Sequence, residues 1–419
     1  MKAPTARVAL ASFIGTAIEF YDFYIYGMAA ALVIGPLFFP GSDRAAQALN
    51  AFLTFGLAFL ARPLGAILFG HFGDRVGRKA TLVVSLMVMG ISTTLIGLLP
   101  TYDAIGLWAP MLLCLLRFCQ GIGLGGEWGG AALLATEHAL PGHRGWFGMF
   151  PQLGPPAGFL AATISFLLLT ALLDDAQFHA WGWRLPFLVS APFILLGLYV
   201  RLRLEETPIF SRAAQRRLHV PLLHLLHHHV RSLSLGALAM VACYALFYVC
   251  TVFVLSHGTT VLGIPRPRLL TMLCVAVMCM ALAIPLAAWA SDRWGRRPVL
   301  LVSMSATLFS GLLLAPMLES GSPWLITLFL SLELLLMGIM FAPMGALLPE
   351  LFPTPVRYSG AGAAYNLGGI LGASFAPYVA QKLVNLGGLA WVGGYVSTAA
   401  AISLLAVLAM HETRDRTLE

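Results

Sequence analysis

Charge is scarce in this chain: only 10% of its 419 residues are charged, while 59% are hydrophobic. Soluble globular proteins carry about 25% charged and roughly 45–50% apolar residues, so a water-soluble enzyme of this size is excluded. Short alternating strands are missing too. The apolar stretches are continuous and much longer than the ~10-residue alternating segments of a membrane β-barrel. No Gly-x-x-x-x-Gly-Lys-Ser/Thr loop is present, which excludes an ATP-driven pump unless another chain supplies the motor. The six cysteines (Cys114, Cys119, Cys243, Cys250, Cys274 and Cys279) all fall within apolar stretches. Their spacing forms neither a disulfide framework nor a metal-ligand set, so they read as packing residues and no cofactor or metal is called for. Near the N-terminus, Glu19 and Asp22 interrupt the first apolar run and no small-residue cleavage site follows, which indicates a retained helix and not a signal peptide.

What remains is a mean hydropathy of +0.85 and enough apolar sequence for around a dozen crossings of a ~30 Å hydrocarbon core. Twelve runs can be placed, at about residues 8–38, 49–72, 80–99, 107–136, 146–173 and 183–200, then 233–255, 269–290, 299–317, 323–348, 360–384 and 389–410. The expected fold is all-α and polytopic, with twelve transmembrane helices in two six-helix bundles. The first bundle covers residues 1–204, a polar central loop 205–231, and the second bundle 232–419. An even number of spans puts both termini on one side. Of the 25 lysines and arginines, 18 fall on that side, five on the other and two inside spans. The positive-inside bias therefore makes both termini cytoplasmic in an inner membrane. It also accounts for the net charge of +7 without invoking nucleic acid.

The halves repeat. The loop after span 2 reads Gly70-His71-Phe72-Gly73-Asp74-Arg75-Val76-Gly77-Arg78-Lys79, and the loop after span 8 carries Asp292-Arg293-Trp294-Gly295-Arg296-Arg297. Glu137 opens the loop after span 4, with Arg144 beyond it; Glu350 and Arg357 stand in the same way after span 10. The step from Asp74 to Asp292 and the step from Glu137 to Glu350 are nearly equal, so both motifs recur at close to a single period. Two related six-helix halves around a central site form a secondary-transporter architecture.

These motifs resemble the major facilitator superfamily, in the span 2–3 loop and in Arg117-Phe118-Cys119-Gln120-Gly121-Ile122-Gly123-Leu124-Gly125-Gly126 of span 4. Further stretches resemble its metabolite:proton symporters, the permeases for shikimate, α-ketoglutarate, citrate and proline or betaine. They are Glu19-Phe20-Tyr21-Asp22-Phe23, Arg62-Pro63-Leu64-Gly65, Gly125-Gly126-Glu127-Trp128-Gly129-Gly130 and Glu206-Thr207-Pro208. The resemblance covers nearly the whole chain. It implies a cavity lined by spans 1, 4, 7 and 10, and a monomer in the bilayer that moves a small organic acid together with a proton.

Six ionisable residues lie inside spans: Glu19, Asp22, Arg62, Arg117, Glu127 and Glu333. At roughly 2.5–3.5 kcal/mol each near the bilayer centre, they must pair or line a watery cavity. Glu19, Asp22 and Tyr26 recur at i, i+3 and i+7, along one face of span 1. Asp22 and Arg117 match positions where related proton-coupled sugar symporters keep an aspartate on span 1 and an arginine on span 4. The expected mechanism holds Asp22 ionised beside Arg117 until Arg117 turns to a substrate carboxylate. Glu127 is the rival proton acceptor and Glu19 a further member of the group. Arg62 is placed either to bind a carboxylate bidentately or to pair with Glu19 or Asp22. Substrate contacts are expected from Arg62, Arg117, Gln120 and Tyr26, and across the cavity from Tyr244, Tyr248, Glu333 and Asn366. The tyrosines at i and i+4 suit substrate hydroxyls or plain packing. Asp74, Arg75, Arg78, Glu137 and Arg144, with Asp292, Arg296, Glu350 and Arg357, read as a cytoplasmic gate of opposite charges. Topology control alone would explain the arginines but not the acids.

The competing functional readings are a symporter of a zwitterionic osmolyte, an antiporter or efflux pump, and a non-transporting sensor. The second rests on Gly154-Pro155-Pro156-Ala157-Gly158, where Phe159 departs from the drug-exporter motif. His224, His227, His228 and His229 read as part of a solvated interfacial helix.

Overall fold

Apolar sequence in hydrocarbon must satisfy every backbone group within itself, and long helices do so. The computed structural model describes residues 3–41, 43–76, 78–137, 139, 142–203, 225 and 227–415. Among these, ten helical spans are long and apolar enough to cross a membrane. They are span 1 (Ser12–Phe38), span 2 (Ala46–Phe69), span 4 (Trp108–Leu133), span 5 (Arg144–Leu172), span 6 (Gly182–Tyr199), span 7 (Val230–Thr260), span 8 (Arg266–Trp294), span 9 (Arg296–Leu318), span 10 (Pro323–Glu350) and span 12 (Leu389–Leu408). Span 3 is the helix Arg78–Leu98, whose apolar part is shorter. Span 11 is divided into Arg357–Gly369 and Ala376–Gly387 by a π-helical segment, Ile370–Ser374. Helices overrun the apolar stretches read from sequence: that of span 2 runs Arg44–Val76. Backbone hydrogen bonding continues into the polar zone where hydropathy stops. The central loop lies almost wholly outside the described residues.

Burial sorts the spans. In spans 1 and 7, 94% of the most apolar window is buried, against 39–61% in the other long spans, so these two form the centre of the bundle. Both are interrupted by π-helical segments, Ala30–Ile34 and Val249–Phe253, every residue of which is buried. The outer spans turn large apolar side chains outward, such as Leu282, Leu286 and Trp289 on span 8 and Leu328 and Leu332 on span 10. A soluble protein rarely shows such a contiguous apolar surface; a lipid-facing one requires it.

Spans 2 and 4 approach until backbone meets backbone. A Cβ added at Gly65 would stand 2.0 Å from the Ile122 carbonyl oxygen, at Gly121 2.2 Å from that of Ala58, and at Gly125 2.0 Å from that of Arg62. Small residues permit this approach, which carries membrane helix packing where the hydrophobic effect between helices is weak. Backbone cannot move aside as a side chain can. Gly65→Ala and Gly121→Ala are therefore expected to cost about 1–3 kcal/mol each, seen as a lowered thermal unfolding midpoint in detergent. Gly15→Ala, with nothing within 4 Å of the new carbon, serves as the neutral control.

Candidate functional site

The same contact breaks span 4. Its helix stops at Leu124 and resumes at Trp128, which leaves carbonyls of the Gly125–Gly126 turn to be satisfied from elsewhere. Span 11 supplies the donors: the Tyr358 hydroxyl donates to the Gly126 carbonyl at 2.6 Å and the Asn366 amide to that of Gly125 at 3.2 Å. Trp128 stacks on Tyr365, ring centroids 3.9 Å apart, and donates to Gln152, whose amide donates to the Phe341 carbonyl of span 10. The first six spans are thus tied to the last six through spans 4, 5, 10 and 11. Asn366, expected to touch substrate, spends its amide on this joint.

Between the halves lies a cavity of about 10 Å³ lined by Phe20 and Tyr24 (span 1), Pro155 (span 5), Tyr244, Phe247 and Tyr248 (span 7), Met337 and Phe341 (span 10), and Tyr365 (span 11). That is room for roughly one water molecule. Spans 1, 7 and 10 line it as expected, but spans 5 and 11 take the place expected of span 4. The cavity wall is largely aromatic, and four of its groups are tyrosines.

Arg62 lies behind this wall. Its guanidinium is 4.6 Å from the Phe23 ring centroid and 4.3 Å from that of Phe59, and the Phe59 ring packs in turn against Tyr244 and Tyr248. The Arg62 Nε and Nη2 are buried without a hydrogen-bond partner, and so is the Tyr244 hydroxyl. Nε and Nη2 form one edge of the guanidinium fork, the edge that takes a carboxylate bidentately.

The other arginine is spent. Arg117 donates to Gln120, to the Phe55 carbonyl at 3.1 Å and to the Thr54 carbonyl at 3.4 Å, with its guanidinium 3.8 Å from the Tyr26 ring centroid. The Tyr26 hydroxyl bonds to Thr54 at 2.5 Å. The Gln120 amide donates to Thr93 at 2.8 Å and to the backbone carbonyl of Asp22 at 3.0 Å. Arg117, Gln120 and Tyr26 form one knot inside the first six spans, away from the cavity wall. The expected Asp22–Arg117 pairing is corrected here: Gln120 joins Arg117 to the Asp22 main chain, and neither Asp22 carboxyl oxygen takes a hydrogen bond. That carboxyl, fully buried, stands near Ser190 of span 6 and Glu127. Glu127 accepts from Ser85 of span 3 at 2.7 Å.

The common face expected for Glu19, Asp22 and Tyr26 does not give them a common environment. Glu19 is felt by Tyr365, Asp22 neighbours Ser190, and Tyr26 turns to Thr54. Three residues on one helical face can still reach three helices when that helix is central. Glu333 is also fully buried and without a hydrogen-bond partner, and does not line the cavity.

At the end carrying the C-terminal tail, charges join the halves. Asp292 accepts from the backbone N–H groups of Gly145 and Trp146, both at 2.8 Å, and so caps the first turn of span 5 from the end of span 8. Arg296 bridges Asp292 at 2.6 Å and Glu350 at 3.3 Å, and Glu350 reaches Arg144 at 3.7 Å. Arg357 is buried and donates to the Phe352 carbonyl. The side chains of Asp74, Arg75, Arg78 and Glu137 lie outside the described residues. Two groups escaped the sequence reading: Thr413 donates to Glu350 at 2.6 Å, and Glu412 caps span 9 through the N–H groups of Arg296 and Arg297. Their only signal was a threonine and an acid in a short polar tail. At the opposite end the halves meet through Arg266 and Asp175 at 2.8 Å, with Asp175 mostly exposed. Exposed pairs are worth ~0–1 kcal/mol, whereas buried hydrogen bonds to a charge are worth about 1.5–3 each. The tail end is the firmer closure.

A helical bundle of two halves, closed at both ends around a small central cavity, is the architecture of a membrane transporter. Comparison with known proteins agrees. Residues 8–219 match the family Sugar (and other) transporter and residues 260–418 the Major Facilitator Superfamily. The chain is 52% identical to the inner membrane metabolite transport protein YhjE of Escherichia coli (strain K12), over 98% of this chain and 95% of that one. It is 37% identical to the shikimate transporter of the same organism (97% and 95% covered) and 32% identical to its proline/betaine transporter (99% and 85%). The xylose transporter XylE from E. coli, in a partially occluded inward open conformation, superposes with a TM-score of 0.77 over 99% of each chain at 17% identity, a likeness of fold. The chain belongs to the major facilitator superfamily and is a multi-pass membrane transporter, not an enzyme.

Two outcomes follow for the tail-end closure. Asp292→Asn is expected to speed hydrogen exchange at the Gly145 and Trp146 amides by about tenfold or more, for a loss of at least ~1.5 kcal/mol. Glu412 gives a pH signature: burial opposes its ionisation, but N–H groups from Arg296, Arg414, Arg297 and Thr413 hold its carboxyl below the usual range. Its contribution is present above the ordinary glutamate range and lost as pH falls through the lowered value. Tail docking, followed by proteolysis of the C-terminus, should survive at neutral pH and fail on acidification. Glu412→Gln should weaken it at neutral pH.

Proposed function

We propose that this chain acts as a monomer in the inner membrane, both termini cytoplasmic, and imports a small organic acid together with a proton by alternating access. The observation that carries the substrate class is Arg62. A buried guanidinium edge without partners, one aromatic layer behind a tyrosine-lined cavity, suits a carboxylate on a small hydroxylated body. The similarity to a shikimate transporter supports the same class.

Asp22 is the proton carrier in this reading. Its carboxyl has no cation bonded to it and shares its surroundings with Glu127; two neighbouring carboxylates in a medium of low dielectric favour one shared proton. Arg62 waits as a positive charge. An anion arriving there and a proton arriving at Asp22 or Glu127 each favour the closed state, and two ligands favouring one state promote each other's binding. In this scheme Arg117 positions Asp22 through Gln120. The charge cluster of Arg144, Asp292, Arg296 and Glu350, with Arg357 beside it, is the cytoplasmic gate. Asp74, Arg75, Arg78 and Glu137 are assigned to that gate from their sequence motifs alone.

A zwitterionic osmolyte is the second reading, favoured by similarity to a proline/betaine transporter. Its carboxylate would suit Arg62 and its cationic group an aromatic wall, but Arg62 itself repels that cation.

The test is uptake of labelled shikimate, α-ketoglutarate, citrate and betaine into proteoliposomes, with and without an inward proton gradient. The expected outcome is gradient-driven accumulation of an acid. Asp22→Asn should lose accumulation while keeping counterflow exchange. Arg62→Lys, which keeps the charge but not the fork, should raise KM about tenfold or more (~1.5 kcal/mol) and leave the gradient dependence intact. Uptake indifferent to the gradient, with Asp22→Asn fully active, would overturn the coupling.

A further inference from the structure

The internal repeat singles out Glu333. Glu333 stands to Gln120 in the sequence as Glu350 stands to Glu137, at the same interval. Packing confirms the register: Gly125 abuts the main chain of Arg62, and Gly338 abuts that of Met280. Gly338 lies as far beyond Gly125 as Glu333 beyond Gln120, and Met280 as far beyond Arg62 as Asp292 beyond Asp74. The hydroxyl partners repeat as well. Gln120 bonds to Thr93 of span 3, and Glu333 stands beside Ser310 of span 9, which follows Thr93 at nearly that same interval. Where the first six spans keep a neutral, fully bonded amide, the last six keep a carboxyl.

That carboxyl is buried with no charged partner among the described residues. Glu333 is 0% exposed and both its oxygens lack hydrogen-bond partners. Ser310 bonds to the Thr307 carbonyl at 3.3 Å, and its hydroxyl is the side-chain hydroxyl beside the Glu333 carboxyl. From span 7 the neighbouring titratable group is the Cys250 thiol; span 8 packs against the next turns of span 10 with Met280 and Ala283. No arginine, lysine or histidine forms an ion pair with Glu333 among the described residues. An ionised carboxylate left so is costly, whereas a carboxylic acid can donate to the facing hydroxyl oxygen. One carboxyl with one hydroxyl offers too few oxygens for a hard metal cation, which takes about six or more.

We propose that Glu333 is a second proton-binding site, set in the last six spans at the repeat position of Gln120, and that it loads and releases a proton in each transport cycle. The proposal rests on the proton-coupled reading above and adds to it one proton per cycle, which is carried only when Asp22 is also loaded.

The experiment measures proton-to-substrate stoichiometry in proteoliposomes, by the membrane potential at which net flux of the transported acid reverses, for the wild type, Glu333→Gln and Asp22→Asn. The expected result is the loss of one proton from the stoichiometry in Glu333→Gln, with concentrative uptake weakened but present. An unchanged stoichiometry in Glu333→Gln would overturn the proposal and leave symport standing. A wild type that moves no protons with substrate would overturn both, and the two failures are told apart by the wild type alone. Where Glu333→Gln does not fold, Glu333→Asp is read by infrared difference spectroscopy across the pH range of transport. A protonated-carboxyl band displaced from its wild-type position supports the site, and an unchanged spectrum overturns it.

Discussion

The close approach of spans 2 and 4 is the constraint on which the site depends. Gly65, Gly121 and Gly125 let two backbones touch, and Arg62 and Arg117 are held on the two sides of that contact. The contact also interrupts span 4, and in hydrocarbon an interrupted helix must have its freed carbonyls bound. Tyr358 and Asn366 bind them. A glycine pattern in one half therefore decides which residues of the other half face it. It also explains why Trp128 and Tyr365 meet face to face, next to the cavity.

From this contact follows a division of labour among the buried charges. Arg117 has become a framework residue, surrounded by carbonyls and aromatic faces. Arg62, one helix away, keeps a free edge. Both would cost several kcal/mol facing lipid, yet their surroundings differ: the donors of Arg117 are used within the fold, and one edge of Arg62 is not. The same distinction separates Glu127, bonded to Ser85, from Asp22 and Glu333, whose oxygens are bare.

The two ends of the molecule differ in kind. At the tail end Asp292 meets the first turn of span 5, where backbone N–H groups and the helix dipole both favour a negative charge, and Arg296 and Glu350 complete a partly buried network. At the other end, among the described residues, the Arg266–Asp175 ion pair joins the halves, with Asp175 mostly exposed. A transporter that alternates between two openings needs closures it can break, and unequal closures set which opening is the easier.

Much of this was written in the chain. Length, hydropathy and the interval between Asp74 and Asp292 suffice for twelve helices in two related halves, because a bilayer admits few other solutions. The six intramembrane charges were legible as functional candidates for the same reason. Partnership was not. Helical spacing placed Glu19, Asp22 and Tyr26 on one face, but span 1 is central, and three different neighbours meet that face. The pairing of Asp22 with Arg117 was plausible by position and is replaced by Gln120, because a guanidinium follows the nearest carbonyls and rings, which come from other spans. Which donors are spent and which are free is settled by contacts between residues far apart in sequence, and periodicity along one helix holds no record of them.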